Sequence, residues 1–303
     1  MLRILAPVLL LSLLAGCSST AERDVAAGKS GLFGLFADTS IAVEWRTRLG
    51  DGPGNGYVRL ETAVSDDLVY AADVNGVVRA LELENGSTEW STDLDQPIMA
   101  GVTLASGRVL VGTRDGSLHS LDAASGEVQW STRLTSEMVS PASADGRRVF
   151  VHTVDGRVTA LEIESGQQAW SYESAMPVLT VRGTSTPLVL DALVVVGFAS
   201  GKLVALDKTL GIPRWEVRLA TPDGRSELER LVDIDGSAVL DGNLLCAASY
   251  HGKIVAVSPN GETRWEEDGS SYTSPSLALG NIYLTLDDDT IQAYDQNNGA
   301  RVW

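Results

Sequence analysis

The side chains able to do chemistry near neutral pH are few and scattered. The chain of 303 residues holds three histidines, His119, His152 and His251, and two cysteines, Cys17 and Cys246. The histidines fall near corresponding turn or strand positions of different sequence repeats, without the spacing by which imidazoles converge on one metal ion. Cys246 lies in Leu244-Leu245-Cys246-Ala247-Ala248. A thiol in so apolar a stretch is expected to be a buried small hydrophobe, because a nucleophilic cysteine needs surroundings that stabilise its thiolate. Asp287-Asp288-Asp289 gathers three carboxylates, yet it lacks the twelve-residue ligand pattern of a calcium loop and reads as a solvated hairpin turn. No catalytic residue, metal ligand or cofactor contact is assigned, and two cysteines make no disulfide framework.

Cys17 offers a different chemistry. Arg3 precedes an apolar run from Ile4 to Leu14, too short to span a bilayer, and the run ends in Leu14-Ala15-Gly16-Cys17. This ending resembles the bacterial lipobox, in which the peptide before the cysteine is cut and the cysteine is acylated. Residues 1–16 are therefore expected to be a lipoprotein signal peptide and Cys17 the lipidated residue. Ser18 and Ser19 follow in place of the aspartate that tends to retain such proteins at the inner membrane, so the resemblance implies the periplasmic face of the outer membrane. Several acyl chains anchor a protein without inserting it. Residues 17–40, rich in Ser, Ala and Gly, read as a tether reaching roughly 25–30 Å.

The remaining residues, 41–303, repeat one phrase six times. In one copy it runs Asp115-Gly116, Leu118-His119-Ser120-Leu121-Asp122, Gly126 and Trp130. The other copies end at Trp90, Trp170, Trp215, Trp265 and Trp303, and Trp45 looks like the tail of an earlier one. Within the copy ending at Trp130, Val102–Leu104, Val109–Thr113, Leu118–Leu121 and Val128–Thr132 read as strands, parted by Ser-Gly and Asp-Gly turns. Four short strands per repeat with no helical period predict an all-β chain, a β-propeller of four-stranded antiparallel blades. The glycine four residues before each tryptophan should take a positive φ. The Ala or Ser of each Ala-Leu-Asp phrase should pack closely between sheets, and Trp90, Trp130, Trp170, Trp215 and Trp265 should dock on neighbouring blades, each indole N–H seeking an acceptor. The net charge of −17 disfavours binding to nucleic acid or an anionic membrane surface by charge.

The repeat is not uniform. From Trp90 to Trp130 and from Trp130 to Trp170 the interval is 40 residues, but from Trp170 to Trp215 it is 45 and from Trp215 to Trp265 it is 50. The extra residues, 173–184 and 219–235, fall between the fourth strand of one blade and the first of the next, so both emerge on one rim and flank one blade. Repeat proteins commonly bind there. Alternation would turn Leu179 and Val181 one way with Arg182 opposite, and would put Asp233 and Asp235 on one face. Two readings stay open from these residues. They form a protein interface with charged margins, or Leu179 and Val181 pack beneath their own loop while Asp233 and Asp235 pair with Arg182 or Arg230.

The Ala-Leu-Asp…Gly…Trp spacing resembles the tryptophan-docking repeat of the pyrroloquinoline-quinone (PQQ) dehydrogenase-like propellers. These include quinoprotein dehydrogenases and the BamB family of outer-membrane assembly lipoproteins, and the lipobox favours the latter. A dehydrogenase would bring a Ca²⁺ site, a catalytic Asp and often a Cys-Cys pair, which the sequence lacks; a fragment of such an enzyme, or a structural propeller with another envelope partner, is the alternative. The BamB resemblance implies a scaffold of the β-barrel assembly machinery without cofactor. It would bind the periplasmic domains of BamA through Leu179, Val181, Arg182 and Gly183, and through Glu227, Arg230, Leu231, Asp233 and Asp235, with unfolded outer-membrane proteins as further partners. It also implies eight blades, and hence a chain truncated after Trp303.

Overall fold

A computed structural model describes residues 42–52, 58, 60–181 and 183–303. Contacts divide the chain into Met1–Val43 and Glu44–Trp303, and the second unit carries all the described strands. The signal peptide, Cys17 and the tether expected before residue 41 lie outside the described residues, as does Arg182.

Hairpin follows hairpin. The first sheet orders β1 (Ala63–Val64), β2 (Leu68–Ala72), β3 (Val77–Glu82) and β4 (Thr88–Asp93). The second holds β5 (Thr103–Ala105), β6 (Arg108–Gly112), β7 (Ser117–Asp122) and β8 (Val128–Arg133), and the third β9 (Ser143–Ala144), β10 (Arg148–Thr153), β11 (Arg157–Glu162) and β12 (Gln168–Glu173). The fourth holds β13 (Leu188–Val189), β14 (Leu193–Phe198), β15 (Lys202–Asp207) and β16 (Pro213–Arg218). The fifth holds β17 (Val239–Asp241), β18 (Leu244–Ala248), β19 (Lys253–Val257) and β20 (Thr263–Asp268), and the sixth β21 (Ser276–Ala278), β22 (Asn281–Thr285) and β23 (Ile291–Asp295). Every pairing between these strands is antiparallel. No helix occurs among the described residues. These are the blades of a β-propeller, with the strand spans read from the sequence reproduced to within a residue or two.

The sheets are held to one another by the tryptophans. Trp90 of the first blade donates its indole N–H to Ala123 O of the second at 2.9 Å. Trp130 does the same to Ile163 O (2.9 Å), Trp170 to Lys208 O (3.0 Å), Trp215 to Pro259 O (2.9 Å) and Trp265 to Gln296 O (2.9 Å). Each acceptor lies in the turn between the third and fourth strands of the next blade, and the glycine of that turn receives the ring. At Gly126 φ is +75°, and an added Cβ would stand 2.5 Å from the Trp90 ring. Gly86, Gly166, Gly211, Gly261 and Gly299 meet Trp45, Trp130, Trp170, Trp215 and Trp265 in the same way. Within its own sheet each tryptophan lies across from a small residue: Trp90 pairs with Ala80, Trp130 with Ser120, Trp170 with Ala160, Trp215 with Ala205 and Trp265 with Ala256. A bulge follows each of these small residues, and all five are fully buried. The apolar core lies between blades: Val78 and Trp90 of the first pack with Val109 and Leu121 of the second.

The two ends of the series differ from expectation. Trp45 docks on the first blade, donating to Leu83 O at 2.8 Å, but its segment forms no strand. The sixth sheet has three strands, and the expected fourth is limited to one bridge between Tyr294 and Arg301. Trp303 is 50% exposed where Trp90 is 8% exposed.

Two outcomes are expected from this packing. Gly126→Ala combines a disfavoured left-handed alanine with a clash against a buried ring, and should lower unfolding free energy by about 2–4 kcal/mol in urea titration. His152, fully buried in β10, has its Nδ1 3.1 Å from Ser185 O and its ring 5.0 Å from that of Phe198. Burial pushes its pKa down to about 4, so below the ordinary imidazole range the unfolded chain takes up a proton that the native one refuses. Stability is then lost as pH falls toward 4, by on the order of 2–3 kcal/mol. His152→Gln should flatten this slope, read as the difference between the two proteins in urea midpoint against pH.

Candidate functional site

The longer connections are residues 174–187, between β12 and β13, and 219–238, between β16 and β17. The ordinary connections show what has been added. Arg114 N donates to Pro97 O (2.8 Å), Val154 N to Glu137 O (3.2 Å), Tyr250 N to Asp233 O (2.8 Å) and Asp287 N to Ser270 O (3.0 Å). In every case the donor lies 17 positions after the acceptor, from 114 − 97 to 287 − 270. Asp233 thus keeps the place that Pro97 holds in the first connection. Pro97 follows the end of its strand, Asp93, by four residues, and Asp233 follows Arg218 by 15. The added stretch therefore lies upstream of Asp233, and each of these four connections passes over the turn between the second and third strands of the next blade.

Across the fourth blade the two insertions are laced together. Asp233 Oδ2 accepts from Val181 N at 3.1 Å, and its Oδ1 accepts from Ile234 N at 2.9 Å. Asp235 lies so close over Gly183 that a Cβ there would fall 2.4 Å from Oδ1. Thr186 N donates to Ser237 Oγ at 3.0 Å. Beneath this seam, Val232 and Ile234 are buried, with Ile234 against the bare Cα of Gly197 in β14. Asp233 is only 2% exposed. Loss of water, and then the charge of Asp235, raise its pKa, outweighing the two amide hydrogens that favour the carboxylate.

Outside the seam each loop exposes apolar side chains among polar and charged ones. Val178 is 82% exposed, Leu228 70% and Leu179 45%, with Met176 also exposed. The tip carrying Leu228 is held by its own polar groups. Arg225 N and Ser226 N donate to Glu229 Oε2 at 2.6 and 3.2 Å, Arg230 Nε donates to Gly224 O at 3.0 Å, and Arg230 faces Glu227 at 3.6 Å. Glu229, Arg230 and Glu227 are thus engaged within the loop, and Leu228 is the exposed apolar residue at its tip.

The residues singled out in the sequence divide accordingly. Leu179 is at the surface, and Val181 is half-buried with its N–H bound. Residues 174–181 and 183–187 form no strand, so alternation does not govern which way Leu179 and Val181 turn. Asp233 and Asp235 do share a face, toward the other insertion, but Asp233 braces the loops from inside. Glu227 and Arg230 are exposed and face each other. Val178 and Leu228 were missed. For Leu228 the signal was an apolar residue among charged ones, Glu227, Glu229 and Arg230, and for Val178 its place beside Leu179 in the first insertion.

The other chemistry-bearing residues are accounted for locally. His119 lies between Ser131 Oγ (2.7 Å) and Gln96 Oε1 (2.9 Å). Cys246 is buried in β18, its thiol pKa pushed up to about 12 by burial and then by Asp241, which leaves no thiolate at neutral pH. Asp287–Asp289 forms the turn before β23, with Asp288 Oδ1 accepting from Thr290 N and Oγ. The insertions offer apolar contact and hydrogen bonding rather than group transfer.

Comparison with known proteins agrees with this architecture. The sequence model of the family described as outer membrane protein assembly factor BamB matches residues 74–303. The BamB of Pseudomonas aeruginosa is 50% identical over 289 residues, covering 95% of this chain and 76% of that protein. That of Kangiella koreensis is 42% identical over 302 residues, covering 99% and 77%, and that of Escherichia coli K12 33% identical over 313 residues, covering 99% and 80%. The crystal structure of BamB from Moraxella catarrhalis superposes with a TM-score of 0.77 at 31% identity, over 80% of this chain and 74% of that one. A six-sheet body whose indoles dock blade on blade, matched along most of its length by these proteins, belongs to the family of BamB outer membrane protein assembly factors.

Proposed function

We propose that this chain is a scaffold of the outer-membrane β-barrel assembly machinery, held to the outer membrane by acylated Cys17 and binding the periplasmic domains of BamA through its two insertions. The relatives share the name of an outer membrane protein assembly factor, which supports work at the outer membrane and sets the dehydrogenase alternative aside. One observation carries the choice of surface: two loops braced against each other through Asp233 present Val178, Leu179 and Leu228 outward. Exposed apolar side chains on a rigid support are what a partner can bury without first ordering them. The margin is charged, with Glu227 and Arg230 on one loop and Arg182 in the sequence of the other, which suits a partner surface of mixed charge.

The division of labour differs between residues. Leu179 and Leu228 supply contact, Arg182 a charge, and Asp233 the seam behind them. Asp235 lies over Gly183 and holds the backbone beside Arg182. Unfolded outer-membrane proteins are further partners of the assembly in this reading, delivered to BamA rather than modified.

Leu179→Asp and Leu228→Asp should each weaken capture of BamA by about tenfold, since each strands a charge where an apolar contact worth roughly 1–2 kcal/mol was made. Both residues are exposed, so the thermal midpoint should stay within about 2 °C of the parent. Undiminished co-purification of BamA with the double variant from solubilised outer membranes would sink the assignment of this surface.

A further inference from the structure

The turn between β18 and β19 is built differently from its counterparts. In the first four blades the left-handed residue of this turn is a glycine, Gly76, Gly116, Gly156 or Gly201, and in the sixth it is Asp289 at the same place. In the fifth blade it is His251, with φ +51°, although Gly252 stands next to it. A histidine adopts this conformation against the preference of its Cβ, and such outliers persist where the surroundings hold them. Here the conformation aims the side chain. The imidazole stacks on Tyr250, ring centroids 3.9 Å apart at 22°, and Nδ1 stands 3.0 Å from Leu231 O. A carbonyl only accepts, so Nδ1 carries the hydrogen.

The rest of the turn grips the same insertion. Lys253 N donates to Leu219 O at 3.1 Å. Gly252 lies so close to the start of the insertion that an added Cβ would be 2.7 Å from both Leu219 O and Ala220 Cβ. Ser249 Oγ and Tyr250 N both donate to Asp233 O, at 2.9 and 2.8 Å. The incoming stem, Leu219-Ala220, and the outgoing stem, Leu231 to Asp233, are therefore held by five consecutive residues, 249–253. Between the stems runs the excursion that carries Leu228 at its tip. The contact of Tyr250 N with Asp233 O is common to other blades, whereas the imidazole reaching Leu231 O belongs to the blade whose preceding connection is longest.

We propose that His251 is a positioning residue for the partner-binding insertion, closing the outgoing stem through its Nδ1 hydrogen bond and so fixing where Leu228 is presented. This rests on the reading of the insertions as the docking surface. A left-handed turn alone would be served equally by Asn or Asp, both tolerant of positive φ. The hydrogen bond would not, because Asn can place an N–H donor on Leu231 O and Asp can only oppose one acceptor with another.

The test compares His251→Asn, His251→Asp and Leu228→Asp in the full chain, by amide hydrogen exchange over residues 219–238 and by binding to the periplasmic region of the cognate BamA. His251→Asn should exchange and bind like the parent within about twofold. His251→Asp should speed exchange across the stems and weaken binding by about tenfold, the factor expected for losing one hydrogen bond. Equal exchange in the Asn and Asp variants would overturn the positioning role. Leu228→Asp separates the two questions: it should exchange normally and bind poorly, and if it binds normally the docking surface fails while the exchange contrast still judges His251.

Discussion

One contact repeats through the molecule, and the rest is arranged to permit it. A tryptophan on the outer strand of one blade donates its N–H to a turn of the next and lays its ring on the glycine there. An indole offers a broad apolar face together with a single donor, so one residue both packs and orients. The contact asks for two things elsewhere. The receiving turn must lack a side chain, and the residue across the sheet from the indole must be small, as Ala80, Ser120, Ala160, Ala205 and Ala256 are. Since each blade touches only its neighbours, the same local solution can be reused along the series.

That reuse explains how two insertions can be added without disturbing the body. Among the described residues, four connections between blades are tied to the following turn by a backbone hydrogen bond at a constant separation of 17 residues, and Asp233 keeps this tie despite the insertion before it. Extra residues are therefore displaced outward as an excursion, where length is tolerated. Two such excursions on either side of the fourth blade meet over it, and Asp233 joins them by accepting from Val181 N and Ile234 N. Burying a carboxylate is unfavourable unless it is hydrogen-bonded, and here its oxygens serve as a brace for the backbone beside the exposed leucines.

The chemistry that is missing follows from the same packing. The strands that carry His152 and Cys246 lie between blades, where desolvation keeps the imidazole neutral and the thiol protonated. Groups held in those states serve as core polar contacts and small fillers. The acidic balance of the chain, −17, sits largely on exposed turns and outer strands. There Asp122 and Asp288 are held ionised by hydrogen bonds from their own turns, and Asp207 by Arg214 and then by the amides of its turn.

Much of this was legible in the chain itself, because its strongest signals are local. Strand spans, the left-handed glycines, the small residue across from each tryptophan and the position of both insertions follow from turn chemistry and from a phrase compared with its own copies. Leu179 could be named a surface contact from its insertion. What the sequence could not decide was orientation across space. It held no sign that Asp233 turns inward to hold Val181, that Arg230 faces Glu227, or that His251, 20 residues from Leu231, closes the stem of the loop. Repeats and turns are encoded by neighbours a few residues apart. Which side of a loop is buried depends on what lies beneath it, and only the folded blades supply that.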